Sequence, residues 1–357
     1  MTHHVLEIRG LAREFAAAEL RPHNEAWDAQ RALGEHVPAK LAELGFFGML
    51  VPEADGGMGF DLGTALAALE ELAWGEAAAA LLVAESIAAA DLVARHGSDA
   101  LRAEWLPRLA TGETRASVAE TIDDATLARA QQAEGRWSLS GRTRWVPCGE
   151  QAELVILFAA DADARALFAV PRSAGVRVGE RAATLGLRPV PFVELLLDGV
   201  RLDDDARLLR LHSPELVPRH GVGELCIAAI ASGIAQAALE HAVAYANQRE
   251  QFGRPIRSFE GVQFRLAEMA AALHAARALV ERAAATPDDG LGVAVAKLMA
   301  GEAAMRVTTD AVQIFGGYGY MRDYPVEKLM RDAKAMAILY GSSEVQRRRI
   351  AAALYAE

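Results

Sequence analysis

The chain has 357 residues, 52% hydrophobic and 24% charged, which is enough for two or three domains with cores of their own. Its net charge is −11, with acidic and basic residues interspersed, so no basic stripe marks a nucleic-acid face. Cys148 and Cys226 lie far apart and the nine histidines are scattered, which argues against a metal centre and against a disulfide framework.

Residues 1–115 read as helical. Glu7, Arg9, Arg13 and Glu14 interrupt any apolar start, so no secretory signal is expected and the reading is a soluble, cytoplasmic protein. Leu6, Leu11, Phe15 and Leu20 predict an apolar helical stripe ahead of Pro22, and Val37 to Leu44 a short amphipathic segment stopped by Gly45. The glycine-rich run from Val51 to Phe60 precedes a helix from Leu62 to about Trp74, capped by Asp61. A second Ala/Leu-rich helix follows, from Glu76 to Arg95, and stops near Gly97.

Between about 116 and 212 the period changes. Trp137, Leu139, Leu154 to Phe158, Ala166 to Val170 and Phe192 to Leu197 are short apolar runs separated by Gly, Asp and Pro. Several strands without intervening helices predict a compact β-barrel or sandwich. From about 213 the helical pattern returns, with four long segments bounded near Phe252, Ala285, Phe315 and the terminus, as in a four-helix bundle. The most apolar stretch, Leu225 to Ala246, carries Gln236, Glu240 and His241, which suits a buried bundle helix better than a membrane span.

Three punctuation marks stand at fixed distances between Ala311 and Ala351. They are the Gly316-Gly317 break, the turn from Arg322 to Pro325, and the cap from Gly341 to Glu344. Upstream, Arg249-Glu-Gln-Phe-Gly253 closes another long helix. These segments, with Val51 to Trp74, closely resemble the flavin-dependent acyl-CoA dehydrogenases. The resemblance implies an α+β chain: a helical domain (1–115), a β-domain (116–212) and a C-terminal four-helix bundle (213–357). It also implies FAD, α,β-dehydrogenation of an acyl-CoA thioester, and electron-transfer flavoprotein or a similar acceptor as redox partner. Arg249, Gln251 and Phe252, with Gln313, Gly316 and Gly317, would then reach across a dimer interface to the pyrophosphate and adenosine of an FAD held mainly by a neighbouring subunit. A guanidinium suits a diphosphate because its charge is fixed and its donors are forked, and glycine lets backbone approach a phosphate closely. Trp145, which would stack on the flavin ring, and Ser342 and Glu344 of the cap are the remaining cofactor candidates.

Three positions depart from the family pattern. Ala119 stands where a flavin-bonding Thr is usual, in the segment Ser117 to Asp124, and Pro147 replaces a hydroxyl residue after Trp145. Tyr340 stands where most members carry the glutamate that takes the α-proton. A phenol with an ordinary pKa of about 10 is a poor general base at neutral pH. Some members place the glutamate on the first bundle helix instead; that position is Gly223 here, and its neighbour Glu224 is a candidate base only if the helix start is irregular.

The losses fall on groups serving the chain's own flavin site, whereas the groups donated across the dimer remain. The leading reading is therefore a subunit that completes the FAD site of a homologous acyl-CoA dehydrogenase partner, in fatty-acid or steroid side-chain breakdown. A self-sufficient homotetramer using Glu224 is the second reading. A flavin-free structural or acyl-CoA-binding protein is the third.

Overall fold

The computed structural model describes residues 3–119, 128–162, 164–211 and 221–355. Helix α1 (His3–Phe15) opens the chain and runs into one π-turn, Ala16–Leu20. Phe15 and Leu20 are buried as the stripe predicts, but Leu6 and Leu11 are 58% and 37% exposed. The inner face is made instead by Ala12 and Ala16, whose small side chains let the helix approach its neighbours. Helices α2 (Asn24–Gln30) and α3 (Val37–Glu43) follow, then α4 (Leu62–Gly75), α5 (Ala77–His96) and α6 (Asp99–Ala110). Asp61 caps α4 by accepting Thr64 N–H at 2.9 Å, and Glu76 caps α5 by accepting Ala78 N–H at 3.0 Å.

Eight strands come next: β1 (Ala116–Ala119), β2 (Ala128–Ala133), β3 (Arg136–Pro147), β4 (Leu154–Asp161), β5 (Ala164–Pro171), β6 (Arg177–Arg181), β7 (Phe192–Asp203) and β8 (Arg207–Leu211). They form one hydrogen-bonded sheet in the order β6-β7-β3-β2-β4-β5-β8, with β1 parallel to β4 off that path. Inward residues from both halves, among them Trp137, Val155, Phe168 and Leu195, share a core of their own, so the sheet curls around itself. Its other face, through Leu154, Ile156 and Ala169, joins the main helical core.

The C-terminal part holds α7 (Gly221–Gln248), α8 (Glu260–Ala284) and α9 (Gly290–Phe315), each about 40 Å long and packed side by side. The fourth bundle position is filled by two short helices, α10 (Val326–Met336) and α11 (Ser343–Leu354). What breaks them apart is a turn at Tyr340 and Gly341, both left-handed with φ of 53° and 89°. α5 and α7 are long and apolar enough to cross a membrane, yet both are largely buried inside the fold.

Charges on α10 fasten the three regions together. Asp332 accepts Leu187 N–H of the sheet region at 2.6 Å and pairs with Lys328 at 2.7 Å; Lys328 also reaches Glu76 at 3.0 Å. Arg331 pairs with Asp28 of α2 at 2.8 Å and donates to Leu185 O at 3.1 Å. Between these two contacts Gly186 passes so close that a Cβ there would lie 2.2 Å from Arg331 O, so only glycine fits.

Candidate functional site

At the end of α7 the chain turns through a short hairpin in which Gln251 pairs with Arg254. Its two tip residues, Phe252 and Gly253, have φ of 54° and 75°, the mirror-image turn that suits two-residue hairpins. Phe252 is thereby held out at 93% exposure. α9 ends nearby at Gly316, whose φ of 61° breaks the helix, and a side chain at Gly316 or Gly317 would meet nothing within 4 Å. Arg249, Gln251, Gly316 and Gly317 come together around an open cavity of about 540 Å³, with Tyr245, Tyr318 and Met321 in its wall. The Arg249 guanidinium lies 5.7 Å from the Tyr318 ring centre, and among the described residues no carboxylate reaches ion-pair distance of it. Phe252 stands outside the cavity wall, and Gln313 is exposed on α9 one turn before the glycines.

The second cluster surrounds the turn between α10 and α11. Tyr340 is 3% exposed, and its ring fills the space beside Gly223: a Cβ on Gly223 would sit 2.2 Å from Tyr340 Cε1. The two alternative base positions therefore converge, and the phenol ring occupies the place where they meet. The turn is held from below. Gln346 Nε2 donates to Tyr340 O and Gly341 O, each at 3.2 Å, and the buried Lys297 Nζ donates to Gly341 O at 2.7 Å. Glu224 is also buried, on a helix that runs regularly from Gly221, but it is committed elsewhere: Oε1 accepts Arg349 at 2.6 Å and Gln346 at 3.0 Å. Its Oε2 has no hydrogen-bond partner among the described residues. Ser342 caps α11 by accepting Val345 N–H at 3.4 Å, and Glu344 is exposed in the first turn, 3.9 Å from Arg347. Ser342 and the α11 N-terminus hold the Glu344 carboxyl below its usual range.

Trp145 belongs to neither cluster. It sits in a bulge of β3, with φ of 59° and 38% exposure, so the sheet turns it outward rather than into a core. Ala119, at the end of β1, is buried and pairs with Leu157; the residues from Glu120 to Asp124 that complete its motif lie outside the described residues. Pro147 closes β3, and its carbonyl accepts Ser117 Oγ.

The acyl-CoA dehydrogenase N-terminal domain matches residues 2–113 and the C-terminal domain residues 221–355. An acyl-CoA dehydrogenase of Bacillus subtilis (strain 168) is 35% identical, with 97% of each chain aligned. The chain belongs to the acyl-CoA dehydrogenase family. Among solved structures, butyryl-CoA dehydrogenase from Megasphaera elsdenii superposes with a TM-score of 0.94 at 30% identity, covering 100% of this chain and 99% of that one. A glutaryl-CoA dehydrogenase from Mycobacterium smegmatis, solved in complex with FADH2, gives a TM-score of 0.92 at 25% identity over 100% and 96% of the two chains.

Family membership makes this chain one of a group of oxidoreductases, and its two half-sites differ in how well they suit a dinucleotide. The cavity around Arg249 fits: it offers an uncommitted cation, bare backbone at two glycines, and aromatic walls for an adenine. Of the residues expected at the flavin head, Ala119 and Pro147 carry no side-chain hydroxyl, and Trp145 presents its indole outward. Several working residues escaped the motif reading. Lys297 and Gln346 hold the turn, and Glu85 holds β1; Lys297 and Glu85 are polar residues in otherwise apolar helical runs, which is the signal that finds them, whereas Gln346 lies among charged residues. Cys148 and Cys226 are free and buried, and burial raises both thiols well above the usual range, so they are inert.

Proposed function

We propose that this chain is a supporting subunit of a heteromeric acyl-CoA dehydrogenase, completing an FAD site that is held mainly by a homologous catalytic partner. The supporting observation is the contrast within one chain. The Arg249 cavity stands open with its cation unpaired, while the base position is filled by the Tyr340 ring packed on Gly223. Arg249 and Gln251 would bind the diphosphate, Gly316 and Gly317 would admit it to the backbone, and Phe252 would reach past the chain's own surface to the partner. Bound flavin supplies the hydride acceptor for dehydrogenation of an acyl-CoA thioester, of fatty-acid or steroid side-chain type, and electron-transfer flavoprotein or a similar carrier reoxidises it. Neither candidate base stands ready to take an α-proton: Tyr340 is a phenol, and Glu224 is engaged by Arg349 and Gln346.

The flavin content of the purified chain, alone and after co-expression with a homologous subunit, tests this. About one FAD per unlike pair, with little on the isolated chain, is the expected result. One firmly held FAD per chain in a homo-oligomer overturns it in favour of a self-sufficient dehydrogenase. The outward presentation of Trp145 on its bulge is the observation that favours that second reading.

A further inference from the structure

β1 is an unusual strand. Among the described residues it pairs only with β4, so every second N–H along it faces away from that neighbour. No neighbouring strand satisfies those donors; α5 does. Ser86 Oγ accepts Ala116 N–H at 3.3 Å and Glu85 Oε2 accepts Val118 N–H at 2.9 Å. The same Glu85 oxygen lies 3.1 Å from Ser117 Oγ, and Ser117 bonds in turn to Pro147 O at the end of β3. Glu85 is completely buried and is the only charged residue of α5 before Asp91. A carboxylate in an apolar helix is expensive, and its cost is recovered only where it meets otherwise unsatisfied donors. Here those donors are on the strand that ends at Ala119, whose Ser117 bonds to Pro147 O two residues beyond Trp145.

We infer that Glu85 is a positioning residue that substitutes for a cofactor: it clamps β1 to α5 through Val118 N–H, while the Ser117 hydroxyl ties β1 to the end of β3, so that the chain's own flavin-head half-site keeps its shape with no flavin bound. The inference rests on the reading that this half-site is not the one that holds FAD. It explains how a chain can lose hydroxyls at Ala119 and Pro147 without loosening the strands that carry them. The Val118 N–H is already used from within, and Pro147 O already has its donor.

The test is hydrogen exchange followed by mass spectrometry on peptides spanning β1, in the intact chain freed of flavin. The cofactor-free wild type should protect β1, and saturating FAD should leave that protection unchanged. Glu85→Ala should lose roughly 10- to 100-fold of it, the range expected when a buried donor is left unpaired. Glu85→Gln, which keeps an accepting oxygen, should restore most of it. β1 protection that rises tenfold or more on adding FAD to the wild type overturns the inference, because the cofactor then orders the strand. So does Glu85→Gln exchanging like Glu85→Ala, or Glu85→Ala exchanging like wild type. If Glu85→Ala does not fold, the wild-type comparison with and without FAD and the Glu85→Gln result still decide. Because the Glu85 variants are compared without cofactor or partner, their failure is distinct from a failure of the flavin stoichiometry.

Discussion

Gly223→Ala adds one methyl group, and the structure says where it lands. The new Cβ would be 2.2, 2.7 and 3.2 Å from three carbons of the Tyr340 ring. The ring has little room to retreat, because Tyr340 is fixed in the left-handed region and its carbonyl is bound by Gln346. Overpacking of this kind costs about 1–3 kcal/mol. Tyr340→Ala alone should cost about 3–5 kcal/mol through the cavity it leaves. In that background Gly223→Ala should be neutral or gain up to about 1 kcal/mol, since position 223 is helical and alanine is the better helix former. The two substitutions should therefore couple by about 1–4 kcal/mol. Urea unfolding of the four proteins, followed by circular dichroism, measures that coupling. Additive effects, within about 0.5 kcal/mol, would refute the claim that the phenol occupies the space belonging to position 223.

Arg249→Ala in the co-expressed complex should weaken flavin retention by about 10- to 150-fold, the equivalent of a charge-assisted contact of about 1.5–3 kcal/mol, with Arg249→Lys recovering part of it; equilibrium dialysis of FAD checks this. Glu224→Gln should leave turnover of the complex intact, whereas Glu224→Ala should destabilise by about 1–3 kcal/mol by removing the carboxylate partner of the half-buried Arg349. A loss of about 10²–10⁴ in flavin bleaching by an acyl-CoA for Glu224→Gln, with flavin still bound, would instead make Glu224 the base. His241, pushed down to about 4 by burial and by the neighbouring Arg21, stays neutral in the folded chain where the unfolded chain takes up a proton. Stability should therefore be undiminished above pH ~6.5 and fall by about 3 kcal/mol as pH drops to 4, and His241→Gln should flatten that slope in urea melts across the window.

The parts of the fold that depend on neighbouring residues were legible in the sequence. The Asp61 cap, the stop at Gly97, the change of period near 116 and the breaks at Gly316 and Gly341 each act within a turn or two of themselves. Two kinds of information were not legible. Leu6 and Leu11 look like core and are exposed, while Ala12 and Ala16 do the packing, because an alanine's burial depends on which helix lies against it. Buried charges were opaque for the same reason: Lys328 meets Glu76 from 252 residues away, and Glu85 meets Val118 from 33. At the site, the residues around Arg249 were readable as a set, but the convergence of Gly223 and Tyr340, which lie on different helices, required the fold.

What separates the two halves of the site is where each side chain finds its stabilisation. Tyr340 packs on Gly223, Glu224 binds Arg349, and Glu85 binds β1; each is held inside this chain. Phe252 and Arg249 are not. An aromatic residue held at positive φ costs about 1 kcal/mol or more, and at 93% exposure Phe252 gains almost nothing from burial in return. Arg249 sits on a cavity with only the face of Tyr318 for company. A fold maintained for its own sake has no use for a strained exposed phenylalanine beside an unpaired guanidinium. Both make sense if the surface that completes them belongs to another subunit and the diphosphate between. On the proposed reading, the half that closes on itself is where this chain's own chemistry has gone, and the open half is what it offers to a partner.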